Sequence, residues 1–192
     1  MTFNMSSRRY WNMSAIMDRS SKSAIKIRPI RLDDTHYIIR WRNDENVKRN
    51  LYSQSDLTEA QHLNWFHNQI TTGRCSQFII EENCLGGRPL GTVFIKNIDK
   101  KNQKGEFGIF IGEAWGRGKG YASLATALIL DYAFKELKLN RVYLTVFCDN
   151  LPAIKAYERV GFVREGLLRQ DYLRSDGFVD VVYMGITAEL WD

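Results

Sequence analysis

Residues 113–122 run Glu113-Ala-Trp-Gly-Arg-Gly-Lys-Gly-Tyr-Ala122. The segment before them, Glu106 to Gly112, reads as a strand. After them, Ala122 to Leu137 reads as a helix, with Leu124, Ala125, Leu128, Ile129, Tyr132 and Ala133 at the spacing that faces a core. The chain thus predicts strand, glycine-rich turn, helix. Gly116, Gly118 and Gly120 bare the backbone of the turn, so that successive N–H groups can point into one concavity at the positive end of the helix. Arg117 and Lys119 add two cations to that end. Such a concavity suits a phosphate. No Gly-Lys-Ser/Thr closes the turn as in a Walker loop, and the Gly-x-Gly-x-x-Gly order of a dinucleotide fingerprint is absent.

A second motif lies downstream, Asn150-Leu-Pro-Ala-Ile-Lys-Ala-Tyr157-Glu-Arg-Val-Gly161-Phe162. Arg117 to Ala122 resembles the Arg/Gln-x-x-Gly-x-Gly/Ala signature of the GNAT superfamily of acyl-CoA-dependent N-acetyltransferases, and the second motif resembles that family's Asn-x-x-Ala-x-x-x-Tyr-x-x-x-Gly-Phe. The two stand in the family's order, and the likeness extends over residues 25–187 of the chain. The resemblance implies an α/β (α+β) fold: a mixed, mostly antiparallel sheet flanked by helices, whose central strand and its neighbour splay apart around the pantetheine arm of acetyl-CoA.

It also implies roles. Arg117, Gly118, Lys119, Gly120, Tyr121, Ala122 and Ser123 would hold the pyrophosphate, and the backbone N–H of Phe110 or Ile111 would stabilise the oxyanion. Tyr157 would protonate the leaving thiolate, Asn150 would hydrogen-bond the pantetheine arm or the substrate region, and Glu106 would serve as base, directly or through water. As plain structure, Tyr157 would pack its helix on the sheet and Asn150 would cap it.

For the acceptor, the segments Trp41-Arg42-Asn43 to Lys48-Arg49 and His62-Leu-Asn-Trp65-Phe66 resemble bacterial enzymes that acetylate the 4-amino group of a UDP-linked deoxyaminosugar. On that reading Arg42, Arg49 and His62 meet a nucleotide diphosphate, and Trp41 or Trp65 stacks on the uracil or sugar. In the alternative the tryptophans anchor helices and the arginines are solvated. The tail from Glu165 to Tyr172, continuing to Tyr183, resembles the spermidine and ribosomal-protein or protein N-terminal acetyltransferases, which gives a cationic acceptor as the second reading. A non-catalytic acyl-CoA-binding protein is the third.

Composition narrows the class. With 192 residues, 44% hydrophobic and 26% charged, the chain fits one globular domain over residues 24–192. Residues 1–23 show no clean period and no apolar signal core, and read as a mobile N-terminal extension. The net charge of +5 is concentrated early: seven of the 27 Lys/Arg and one of the 22 Asp/Glu precede residue 32, leaving 20 cations against 21 anions. A nucleic-acid partner is therefore not expected. No apolar run reaches the ~20 residues of a membrane span. Cys75, Cys84 and Cys148, like His36, His62 and His67, have no metal-site spacing, so reduced thiols, a cytoplasmic setting and no metal are expected. The partner is a small-molecule amine, and a homodimer is left open.

The remaining elements follow in order. Ala24 to Ile30 alternates as a strand, and Asp33 or Asp34 is placed to cap a helix through Trp41. Thr58-Glu-Ala-Gln61 forms a capping box that opens a helix to about Ile70. Strands follow at Ser76 to Glu82, Leu90 to Lys96, Glu106 to Gly112 and Arg141 to Phe147. Pro152 and Gly161 bracket a short helix. A closing hairpin, Phe162 to Gln170 and Phe178 to Thr187, turns at Arg174-Ser-Asp-Gly177.

Overall fold

The alternating segments assemble into one sheet. A computed structural model describes residues 24–83 and 86–191; the extension read over residues 1–23 and the thiol of Cys84 lie outside these described residues. The strands are β1 (Ile25–Pro29), β2 (Ser76–Glu82), β3 (Arg88–Asp99), β4 (Lys104–Ile111), β5 (Arg141–Phe147), β6 (Val163–Arg174) and β7 (Gly177–Thr187), in the order β1-β2-β3-β4-β5-β7-β6. Every neighbouring pair is antiparallel except β4 and β5. The helices are α1 (Thr35–Arg42), α2 (Glu45–Lys48), α3 (Glu59–Trp65), α4 (Tyr121–Lys135), α5 (Leu151–Val160) and α6 (Ala188–Trp191).

The sheet separates two cores. On one face Phe78, Ile80, Val93, Ile95, Phe107, Val142, Leu144 and Met184 pack against Ala125, Ile129, Leu130 and Ala133 of α4 and Ile154 of α5. On the other, Ile79 and the partly buried Phe110 meet Ile38 and Trp41 of α1 and Phe66 just after α3. Strand β2 is covered on both sides, which explains why its alternation is blurred by the run Phe78-Ile79-Ile80.

The parallel pairing is short. Lys104, Gly105 and Glu106 lie opposite Arg141, Val142 and Tyr143, and there it stops, although β4 continues to Ile111 and β5 to Phe147. The two strands splay, as the resemblance implied.

Three local expectations change. Neither Asp33 nor Asp34 caps α1 through its side chain. Asp34 is buried instead, with its two carboxylate oxygens each 2.7 Å from the Arg28 guanidinium and one of them accepting the Arg31 N–H at 2.8 Å. Burial pushes this carboxyl up, but Arg28 and the Arg31 amide outweigh it and hold it below the usual carboxylate range. The Thr58–Gln61 box forms as read, with Gln61 N–H donating to Thr58 Oγ1 at 3.3 Å and Thr58 N–H to Gln61 Oε1 at 2.9 Å. The helix it opens is α-helical only to Trp65 and widens into a π turn over Phe66–Ile70.

Trp41 is a core anchor of α1, 1% exposed, with its indole N–H donating to Glu113 Oε1 at 2.9 Å. Gly112 lies against that ring: a Cβ there would sit 2.1 Å from Trp41 Cγ. Gly112→Ala is therefore expected to destabilise the fold by about 1–3 kcal/mol through overpacking, read as a lowered urea midpoint at unchanged slope.

Candidate active site

The phosphate turn begins where β4 ends. Gly118 and Gly120 adopt φ +73° and +78°, the left-handed region that favours glycine, and nothing lies within 4 Å of a Cβ built on either. Gly116 differs. It is buried, and its Cβ would approach Ile111 Cγ2 to 3.2 Å, so this glycine packs the turn onto the sheet. Gly120 is the N-cap of α4 and has no side chain to cap it. The N–H groups of Gly118, Lys119, Gly120, Ala122 and Ser123 make no hydrogen bond to another described residue. These bare donors sit at the positive helix end and form a ready anion cradle.

Of the two cations, Lys119 is exposed, its Nζ 5.5 Å from the Trp115 ring and 5.8 Å from the Tyr121 ring. Arg117 turns back instead. Its Nε donates to the Ile111 carbonyl at 3.2 Å and a terminal nitrogen donates to the Gly112 carbonyl at 3.0 Å, with Asp44 at 3.5 Å. It fastens the turn to the strand. Two of its guanidinium nitrogens thus serve protein carbonyls, while Lys119 and the backbone face the cradle without such ties.

Register turns the N–H groups of Phe110 and Ile111 to opposite sides. Gly112 N–H donates to the Leu90 carbonyl at 2.9 Å, on the β3 side. Alternation along β4 turns Phe110 N–H to the same side and Ile111 N–H toward the splay. Ile111 therefore presents its N–H to the gap.

Across the gap stands α5. Asn150 caps it, accepting the Ala153 N–H at 3.3 Å on Oδ1, while its side-chain nitrogen makes no hydrogen bond to a described residue. Gly161, at φ +112°, closes it, and Phe162 N–H folds back onto the Tyr157 carbonyl at 3.1 Å. The ring of Tyr157 meets Phe107, the first β4 residue past the last parallel pair, edge-on at 5.6 Å, with Phe162 at 6.0 Å. Its hydroxyl has no hydrogen-bond partner among the described residues. Burial pushes the phenol above its ordinary range, so it stays protonated and able to donate at neutral pH.

Glu106 ends the parallel pairing on the opposite face of the sheet. Its carboxylate is anchored by Lys96 Nζ at 3.0 Å and Asn97 Nδ2 at 2.8 Å. That face also carries Tyr143, stacked on Tyr183 at 5.5 Å, and an aromatic triplet in which Tyr52 lies 5.1 Å from Phe147 and 5.3 Å from Tyr172. Burial raises the Tyr52 phenol. A hydrogen bond with Thr145 works against that, while the negative charges of Asp171 and Glu106 add to it. Burial, then Glu106, likewise raises Tyr143.

The residues read as an acceptor site differ in exposure. Trp41 has no free face for a ligand ring, because it is buried. His62, 2% exposed, pairs its Nδ1 with Thr35 Oγ1 at 3.1 Å and stacks on Trp65. Burial and the charge of Arg42 keep its imidazole below its ordinary pKa and neutral. Arg42 is partly buried with its Nε unpaired, whereas Arg49 is exposed. Sequence reading passed over Tyr52, Tyr143 and Asp171; only Asp171 lies in the Glu165 to Tyr172 tail, whose likeness to polyamine enzymes was its one signal.

A strand, an uncapped glycine turn, a splayed parallel pair and a tyrosine across the gap define an acyl-CoA-dependent transferase fold. A family model described as an acetyltransferase (GNAT) domain matches residues 25–163, and the chain belongs to that family. An N-acetyltransferase of Bacillus licheniformis, p20, is 31% identical over 166 residues, covering 83% of this chain and 90% of its own. Spermidine N(1)-acetyltransferase of Escherichia coli K12 is 27% identical over 166 residues, covering 86% and 87%. The crystal structure of spermidine N-acetyltransferase from Vibrio cholerae with CoA and spermine superposes at TM-score 0.83, with 25% identity over 88% of this chain and 99% of that one. The chain is an acetyl-CoA-dependent N-acetyltransferase. Among the described residues no helix is long and apolar enough to cross a membrane.

Proposed function

We propose that the acceptor is a primary amine of an aliphatic polycation, of the spermidine class, in place of the UDP-linked aminosugar suggested by the N-terminal segments. One observation carries this: beside the splay, Glu106 and Asp171 bring negative charge to a face lined by Tyr52, Tyr143 and Tyr183, where the cations Lys96 and Arg141 are already ion-paired, with Glu106 and Glu165. Carboxylates and aromatic rings hold ammonium groups and methylene chains, and repel a diphosphate. The names of the E. coli and V. cholerae relatives point the same way.

The chemistry follows from the parts. Acetyl-CoA lies with its pyrophosphate on the N–H groups of residues 118–123 and its pantetheine arm in the splay, near Asn150. The acceptor ammonium loses a proton to Glu106, through water, and the neutral nitrogen attacks the thioester carbonyl. A C–N bond forms while the carbonyl oxygen, now an oxyanion, meets the Ile111 N–H. The C–S bond then breaks, the sulfur takes the Tyr157 proton, and the newly acylated nitrogen gives up its surplus proton, which returns through water to the Tyr157 oxygen and leaves the neutral amide. Desolvation makes that thiolate a stronger base, which suits a donor of raised pKa. A cytoplasmic setting suits the free thiols of Cys75 and Cys148, the former pushed up to about 12 by burial. A homodimer is part of the same reading, because edge strand β6 exposes Leu167, Leu168 and Leu173.

The test is a panel of amines with acetyl-CoA, read as thiol release. Spermidine and spermine are expected to exceed peptide amines and a UDP-4-aminosugar in kcat/KM, and Glu106→Gln should lower spermidine kcat/KM by about 10²-fold or more, with acetyl-CoA affinity unchanged. Preferential turnover of the nucleotide sugar sinks the polyamine assignment and leaves the acetyltransferase standing.

A further inference from the structure

Strand β6 departs from a regular ladder next to the site. Leu168 lies opposite Val181, but the next paired residue, Tyr172, lies opposite Val179, so β6 uses four residues where β7 uses two. The bulge is fixed at Gln170, whose φ is +50° and whose N–H donates to Asp180 Oδ1 at 2.8 Å. The Asp180 carbonyl in turn accepts the Cys148 N–H at 3.0 Å, which ties the bulge to the end of β5. Bulges bend a strand and re-aim the side chains beyond it.

Two side chains beyond this one reach the site. The Tyr172 hydroxyl donates to the Tyr52 carbonyl, and its ring packs 5.2 Å from Phe147. The Arg174 guanidinium lies 4.1 Å over the Phe147 ring and donates to both oxygens of Asp149, at 2.7 and 3.1 Å. Asp149 directly precedes Asn150, the cap of the helix that carries Tyr157. Arg174 Nε remains buried and unpaired. A buried unpaired donor is unfavourable, so the geometry serves the fork toward Asp149 at the expense of full hydrogen bonding.

We infer that the bulged segment Gln170–Arg174 is a clamp that sets the acyl-transfer site, with Arg174 a positioning residue for Tyr157 acting through Asp149 and the start of α5. The inference rests on Tyr157 being the proton donor. The clamp holds the α5 side of the splay, whereas the pyrophosphate cradle belongs to β4 and α4, so turnover and acetyl-CoA affinity should separate. Asp149 is more than half exposed, so removing its charge should cost little stability, whereas Arg174 is only 14% exposed and Arg174→Lys, which keeps a cation there, controls for packing lost over Phe147.

The experiment compares Arg174→Gln, Asp149→Asn, Arg174→Lys and Tyr157→Phe in the full chain. Thiol release is followed with saturating spermidine and in acceptor-free hydrolysis of acetyl-CoA, which expels the same thiolate and so does not depend on the polyamine assignment. Arg174→Gln is expected to lower kcat about 10- to 10²-fold in both reactions, the scale set by slight misplacement of a reacting group. Acetyl-CoA affinity and the unfolding midpoint should hold, and Arg174→Lys should recover part of the rate. Added to Tyr157→Phe, Arg174→Gln should cost almost nothing more, because both act on one proton transfer. A full additional loss in that background overturns the inference, as does an Arg174→Gln kcat within about twofold of wild type or a loss that follows affinity or unfolding. If Tyr157→Phe alone keeps its activity, the donor reading and the role of Arg174 fall together. If Tyr157→Phe is slow and Arg174→Gln is not, only the clamp falls.

Discussion

Tyr157→Phe is expected to lower kcat by about 10²–10⁴-fold, the usual worth of a positioned acid, while acetyl-CoA binds with nearly unchanged affinity. The substitution keeps the ring that packs edge-on against Phe107 and Phe162, so the aromatic contacts at the mouth of the splay remain. Only the hydroxyl goes, and among the described residues it supports no hydrogen bond whose loss would disturb the fold. What is removed is a proton. The leaving thiolate must then depart unprotonated or borrow from water, in surroundings that disfavour its charge. Rapid-quench measurements of the chemical step, with calorimetry for acetyl-CoA, separate the two roles. A chemical step within about threefold of wild type would reduce Tyr157 to a packing residue.

The parts of the site legible in the sequence were those encoded locally. A turn that needs left-handed glycines at 118 and 120, ahead of an amphipathic helix, announces itself over ten residues. So does a helix bracketed by Asn150, Pro152 and Gly161. The Thr58–Gln61 box was legible for the same reason. What escaped depends on contacts far apart in the chain. Asp34 carries the signature of a cap, yet Arg28 and the Arg31 amide claim its carboxylate, and nothing in the local pattern distinguishes the two uses. Arg117 also ties the turn to the carbonyls of Ile111 and Gly112, a use that its place among glycines does not reveal. Whether Trp41 and His62 face a ligand or the core stayed open in the sequence, because burial is set by α1 closing on α3 and on Gly112, which periodicity alone does not specify. The proposed acceptor face is the extreme case: Glu106 was read from its strand, but Tyr52, Tyr143 and Asp171 come from three separate segments and share no spacing that a scan could find.

Gly120→Glu should weaken acetyl-CoA binding by about 10²-fold or more without unfolding the protein. Two or more charge-assisted hydrogen bonds from the bare N–H groups to the pyrophosphate are at stake, each worth roughly 1.5–3 kcal/mol, and about 1.4 kcal/mol corresponds to a factor of ten. The new carboxylate would occupy the positive end of α4 itself and take the place of the ligand's charge. Folding should persist, since a Cβ at Gly120 meets nothing within 4 Å, although φ +78° adds some strain. Gly120→Asn separates strain from charge, because asparagine tolerates the left-handed region and carries no charge; it should retain most of the affinity. Gly116→Ala supplies the opposite contrast. Its Cβ would press on Ile111 Cγ2 at 3.2 Å, so it should lower stability while leaving the cradle donors in place. Calorimetry with acetyl-CoA across the three variants, beside their urea midpoints, tests the assignment. Equal affinity in Gly120→Glu and the parent would remove the pyrophosphate from this turn, and an Asn variant as weak as the Glu variant would show that backbone geometry, and not charge, governs the site.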